Sequence, residues 1–161
     1  MGIVSKNSNL KKDEKRAAQE FLRQMEMDVL ARTIYGEARS EGQKGMEAVA
    51  HVVINRVKHA QRNGEEFWWG QDIITVCQMP YQFSCWNPGD PNRAKLMAVD
   101  EGDIYFATCI RIARRAVYGL LGEDPTLGGD HYHTVDVTPY WSKGQTPTVR
   151  IGNHVFFKLE E

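Results

Sequence analysis

The chain has 161 residues, enough for one domain with a sizeable core, and its 20 basic and 21 acidic residues leave a net charge of −1. That balance excludes the basic footprint of a nucleic-acid binder. No apolar run is long enough to span a membrane.

Residues 1–12 read as a polar tail and residues 13–161 as the folded domain. The tail has no apolar h-region, and Lys6 stands where a myristoylation signal needs Ser or Thr. The chain is therefore expected to be soluble and made in the cytoplasm. From Asp13 a helix is predicted, because Ala17, Phe21, Met25, Leu30 and Ile34 recur at roughly helical steps. It is either continuous or broken near Met27-Asp28. Gly36 weakens its end by about 1 kcal/mol relative to Ala. Ser40 and Gln43 have capping-box spacing and open a second helix, with Met46, Val49, Ala50, Val53, Ile54 and Val57 inward and His51, Asn55 and His59 on its polar side. An aromatic loop, Glu65 to Gly70, precedes a short helix over 72–78. Residues 80–91 hold three prolines and read as loop. A third long helix is predicted over 104–121, with Phe106, Ile110, Ala113, Val117 and Leu121 inward and Arg111, Arg114 and Arg115 on a solvated face. Residues 122–129 are turn material. Thr148 to Lys158 reads as a β-hairpin turning at Gly152-Asn153. Cys77, Cys85 and Cys109 are odd in number and irregularly spaced, so three reduced thiols are expected and not a disulfide framework. The sum is a mainly helical α+β domain with a C-terminal hairpin.

Four groups of residues invite a chemical reading. Glu37 falls on the apolar stripe of Met27, Leu30 and Ile34. Burial and the negative end of its own helix should both raise its pKa, as a general acid for glycosidic cleavage requires. The alternative is a buried ion pair with Arg32, Arg39 or Arg56. Glu41 reads as a first-turn acid of the second helix and not as a partner carboxylate. Tyr81-Gln82-Phe83-Ser84-Cys85-Trp86 suits a sugar cleft, with aromatic rings for pyranose faces and amide and hydroxyl groups for the polar edges, or else a loop pinned into the core. His131 and His133 alternate along Asp-His-Tyr-His and would share one face of a strand, as cleft residues or as metal ligands. Cys85 with a later histidine also has the order of some cysteine peptidases, but no helix begins there to lower its pKa.

Taken together, Leu30 to Glu41 with its Tyr-Gly-Glu-Ala-Arg, Gly45 to Val57, Gln82-Phe83-Ser84, His131-Tyr132-His133, Pro139-Tyr-Trp141 and Ile151 to Phe157 resemble the SleB-type cell wall hydrolase family. Spore cortex-lytic enzymes and many phage wall hydrolases belong to it. The resemblance covers about residues 28–158. It implies a lysozyme- and transglycosylase-like helical fold, peptidoglycan as substrate and Glu37 as catalytic acid. The chain departs from common members in lacking a signal peptide and wall-binding repeats, and in a longer loop at Trp68-Trp69.

The expectation is therefore a monomeric enzyme without metal or cofactor, acting on peptidoglycan glycan strands at the MurNAc–GlcNAc β-1,4 bond. Glu37 is its catalytic residue. Tyr81, Gln82, Phe83, Ser84, Trp86, His131, Tyr132 and His133 bind substrate. Glu41 and Asp136 are weak candidates for a second carboxylate, which tilts the reading toward a lytic transglycosylase and away from a hydrolytic muramidase. The competing readings are a peptidase or amidase using Cys85 or a His-bound metal, and a non-catalytic wall-binding module. Without a signal peptide, release through a holin as a phage endolysin, or carriage in a virion, is expected.

Overall fold

The computed structural model describes residues 2–64 and 67–160, with side chains from residue 6 onward; Glu65 and Glu66 of the aromatic loop lie outside the described residues. Among the described residues five α-helices come in chain order: α1 (Gly2–Ala38), α2 (Gly42–Arg62), α3 (Ile73–Gln78), α4 (Pro91–Ala98) and α5 (Ile104–Val117). Three short strands follow, β1 (His131–Thr134), β2 (Val149–Ile151) and β3 (His154–Phe157), in one antiparallel sheet of order β1-β3-β2. No described helix is long and apolar enough to cross a membrane.

Helix α1 is continuous through Met27-Asp28 and begins at Gly2, not at Asp13. No proline interrupts it, and from Leu10 to Glu20 it is rich in strong helix formers such as Lys, Glu, Gln and Ala. Every side chain from Lys6 to Leu22 is exposed. Ala17, Phe21 and Met25, predicted inward, face solvent: at about 100° per residue Phe21 and Met25 fall roughly opposite Met27, Leu30 and Ile34, and Arg23 and Glu26 are the half-buried residues at that level. The buried stripe starts at Met27 and runs through Leu30, Ala31, Ile34 and Tyr35 to Ala38. These residues pack against α2, α3, α4 and α5.

The predicted capping box at Ser40 and Gln43 does not form. Ser40 lies in the turn, Glu41 takes the N-cap position, and Gln43 donates instead to Glu47 at 3.2 Å. Glu41 is thus a cap-position residue and not a first-turn acid, and its carboxylate accepts the Asn153 N–H at 3.1 Å, tying the helix junction to the hairpin turn. Gly152 in that turn has φ +57, and a Cβ there would run into the Glu41 carboxylate.

Helix α2 is central, with Met46, Ala48, Val49, Ala50, Val52 and Val53 fully or almost fully buried. Its polar side is not open to water. His51 and His59 are buried, and Asn55 donates to Asp124 at 2.8 Å and to the Gly129 carbonyl at 2.9 Å. Helix α3 forms where predicted, closed by a reciprocal Asp72–Thr75 capping box. Helix α4 was not predicted, and only its first residue, Pro91, falls in the expected loop. Its signal was in the sequence, since Asp90 caps it and Pro91 occupies its first turn. Helix α5 ends at Val117, short of Leu121, and buries Cys109, Ile112 and Ala116 with the predicted Phe106 and Ala113. Ile110, Val117 and Leu121 are only partly buried. Arg111 and Arg114 are exposed, while Arg115 pairs with Glu47 at 2.7 Å. The three cysteines are free and buried. The hairpin forms at its predicted turn.

Candidate active site

Glu37 sits in the last turn of α1, on the floor of a cleft of about 550 Å³ between the helical body and β1. Gly36, beside it, packs against the Cys85 loop. A Cβ at that position would lie 2.7 Å from the Cys85 Cβ and 2.9 Å from Leu96, so only glycine lets the Cys85 loop close against the helix. The Cys85 thiol and backbone N–H and the Tyr132 hydroxyl face the carboxyl and favour its ionised form. Burial outweighs them, and with the nearby Asp90 charge it raises the Glu37 pKa from 4.5 to about 7.

Among the described residues no arginine pairs with this carboxyl. Arg32 pairs with Asp28 at 3.0 Å and donates to the Leu96 carbonyl at 2.6 Å. Arg39 donates to Asn92 at 2.8 Å. Arg56 donates to the Asp130 carbonyl at 2.7 Å and to Gln82 at 3.2 Å. All three candidates for a structural ion pair are engaged elsewhere.

The cleft brings together Tyr81, Gln82, Phe83, Ser84, His131, Tyr132 and His133 around Glu37. Tyr81 projects into solvent with φ +65, a conformation uncommon for a residue with a side chain, while Phe83 is pinned in the core. The loop is thus both displayed and anchored. Trp86 is not part of this cleft. Its indole N–H donates to Thr33 at 2.9 Å, and it lines a separate recess with Asp28 and Arg32. Tyr132 is deeply packed against Phe83, His154 and Phe156, and burial together with the Glu37 charge holds its phenol well above its ordinary pKa.

Arg56, Trp68, Thr134, Val137 and Trp141 also line the cleft and were not among the expected cleft residues. The Trp141 ring stands 5.1 Å from that of His131 and 5.7 Å from that of His133. The Arg56 guanidinium lies 5.0 Å from the Trp69 ring centroid and 5.4 Å from that of Phe83. Buried Asp130 holds the His131 Nδ1 at 2.9 Å and accepts the Leu159 and Glu160 N–H groups, each at 2.9 Å. These hydrogen bonds outweigh its burial and keep Asp130 below the ordinary carboxylate range. An aspartate directly before a histidine was the available signal for this pair.

The remaining candidates are placed differently. Glu41 is committed to Asn153, and Asp136 is exposed beyond β1. Burial and the Glu37 carboxylate push the Cys85 thiol far up, which argues against a nucleophilic thiolate. Among the described residues no three His, Cys, Asp or Glu side chains gather as a metal site.

A mainly helical domain with a small antiparallel sheet and a partly buried acid at the end of a long helix is a lysozyme-like, transglycosylase-type fold. The chain belongs to the Cell Wall Hydrolase family, whose model matches residues 40–157. It is 33% identical to a spore cortex-lytic enzyme of Halalkalibacterium halodurans, over 81% of this chain and 34% of that protein. It is 30% identical to one of Bacillus cereus, over 84% of this chain and 45% of that protein. The chain thus spans a third to under half of these relatives. Among solved structures it resembles the catalytic domain of Bacillus cereus SleB, with a TM-score of 0.61 and 26% identity over 84% of this chain and 91% of that one. It also resembles the catalytic domain of the germination-specific lytic transglycosylase SleB of Bacillus anthracis, with a TM-score of 0.61 and 25% identity over 83% of this chain and 93% of that one. The family model starts after Glu37, but matches covering 81–84% of a 161-residue chain are too long to exclude it.

Proposed function

We propose that this protein cleaves the β-1,4 bond between N-acetylmuramic acid and N-acetylglucosamine in peptidoglycan, as a lytic transglycosylase with Glu37 as its single proton-carrying group. The observation that carries this reading is the Glu37 carboxyl, partly buried in the cleft, unpaired by arginine and raised to about 7. At neutral pH a large fraction of it is protonated, the state a general acid needs. It donates that proton to the glycosidic oxygen as the bond to C1 of the muramoyl residue breaks. The resulting carboxylate then takes the proton of the muramoyl 6-hydroxyl as that oxygen closes onto C1. The product is a 1,6-anhydro end, no water is consumed, and Glu37 regains its proton. Hydrolysis would call for a group to activate water, and among the described residues no second carboxylate lines the cleft. The likeness to the Bacillus anthracis lytic transglycosylase domain supports the same choice.

The test is digestion of purified peptidoglycan by wild type and Glu37→Gln, with mass spectrometry of the released fragments. Anhydro-muramoyl ends that disappear in the variant are expected. Reducing muramic acid ends would replace transglycosylation by hydrolysis, and full activity in the variant would remove Glu37 from the chemistry.

A further inference from the structure

All four residues of β1, His131 to Thr134, line the Glu37 cleft. Successive side chains of a strand point to opposite faces, so one face could present only alternate residues. Four in succession mean that the cleft meets the strand along its edge. That edge is unpaired, because β1 is the outer strand of the sheet and bonds only to β3.

The ladder shows which groups are open. Val135 N–H donates to the Asn153 carbonyl at 2.9 Å, and residues on an antiparallel strand alternate between facing the partner and facing away. His131 and His133 therefore spend their backbone groups on β3. Tyr132 N–H and C=O and Thr134 N–H point the other way. The Thr134 carbonyl is closed by the Val137 N–H at 3.2 Å and by the His133 ring at 2.7 Å. At the other end Asp130 N–H turns back to the Phe157 carbonyl at 2.9 Å, and the Asp130 carbonyl is taken by Arg56. The open stretch is thus a donor and acceptor on Tyr132 and a donor two residues on. It matches a short extended peptide, and both ends are stopped against a longer strand such as a second copy of this chain.

Arg56 adds charge. It is 4% exposed, lines the cleft and has no carboxylate partner within ion-pair distance among the described residues. Its Nε and Nη1 are used, and no described residue takes its Nη2. A buried cation beside an open strand edge suits an anionic peptide.

We propose that the β1 edge from Tyr132 to Thr134 binds the acidic stem peptide of peptidoglycan as an added antiparallel or parallel strand, with a stem carboxylate on Arg56. This rests on peptidoglycan being the substrate, though not on Glu37 being the acid. The edge would then distinguish peptide-bearing glycan from bare glycan.

Two measurements test it. In the Glu37→Gln protein, which keeps the edge but not the acid, a synthetic stem tetrapeptide is titrated while backbone amide resonances are followed. Shifts centred on Tyr132 and Thr134 are expected, and N-acetylglucosamine oligomers should not reproduce them. In the Glu37-intact protein, Thr134→Pro removes the outward N–H without touching a bond to β3. It should lower the preference for peptide-bearing over amidase-stripped glycan by about tenfold, the worth of one or two hydrogen bonds. Thr134→Val should keep that preference. Peptide shifts elsewhere, the same edge shifts with the sugar alone, self-association through β1, or an equal loss on both glycans would each overturn the proposal. An inactive wild type with peptide shifts at β1 would instead strike the glycosidase reading and leave this one standing.

Discussion

The two halves of α1 share one backbone and almost nothing else. From Lys6 to Leu22 every side chain meets solvent, and local pairs such as Gln24 on Glu20 at 3.1 Å and Arg23 on Glu20 at 3.5 Å are its support. From Met27 to Ala38 the helix is walled in by four others, and even its glycine is in contact with a neighbouring loop. Propensity holds the first half and packing holds the second. The acid belongs to the second, where surroundings can be set against its charge.

The sharpest way to break that contrast is at Glu37. Glu37→Gln should cut peptidoglycan lysis by about 10²–10⁴-fold, the usual size of a general-acid contribution, as read by turbidity loss of purified walls. An effect below about tenfold would place the chemistry elsewhere. The same substitution should raise stability above neutral pH. The folded pKa of about 7 lies above the ordinary 4.5, so the folded state binds the proton more tightly. Its stabilising effect is complete below pH 4.5 and is lost as pH rises through 7, by at most about 3 kcal/mol at 1.36 kcal/mol per unit. Chemical denaturation at pH 5 and pH 8 should show this slope in wild type and a flatter one in the variant. Activity should fall over the same upper range, as the acid loses its proton.

Smaller effects sharpen the boundary between the halves. Gly36→Ala pushes a methyl group against Cys85 and Leu96 and should cost about 1–3 kcal/mol in urea unfolding. Ala18→Gly, on the exposed half, should leave the unfolding midpoint unchanged, because that segment can fray without opening the core. Removing residues 1–19 spares the Tyr118–Glu20 hydrogen bonds at 3.2 Å and should move Tm by no more than about 2 °C, or about 0.5–1 kcal/mol for a domain of this size. A large loss on truncation would mean that the exposed half is bound to something the isolated domain needs.

Legibility follows the same division. Glu37 stood out because Met27, Leu30 and Ile34 are a true buried stripe and the next position on it is charged. Phe21 and Met25 are apolar at a helical step from each other but sit on the opposite face from that stripe, and the five-residue step from Met25 to Leu30 was the sign of the change of phase. The Tyr81–Ser84 and His131–His133 segments were legible because their polar and aromatic groups are close in sequence. Trp86 misled because an indole N–H can satisfy itself on Thr33 as readily as on a sugar. Arg56 was legible only as a possible ion-pair partner of Glu37, because its neighbours on the central helix α2 suggested core and gave no sign that it lines the cleft. On α5 the inward set was read only in part: Phe106 and Ala113 are buried and Ile110, Val117 and Leu121 pack partly against the core, while Cys109, Ile112 and Ala116, equally buried, lie beside them on a wide apolar face.

The Glu41–Asn153 hydrogen bond has a mechanical consequence. From Glu37 the covalent path runs one turn to Glu41, crosses to Asn153, enters β3, crosses the ladder to Tyr132 and returns to Glu37. This is a closed linkage, and a closed linkage has fewer free joints than an open one. The hairpin cannot swing away from the helix end without stretching a bond in the ring. The distance between acid and phenol is therefore set before anything enters the cleft. Gly152, with no room for a methyl group beside Glu41, is the joint at which that ring closes.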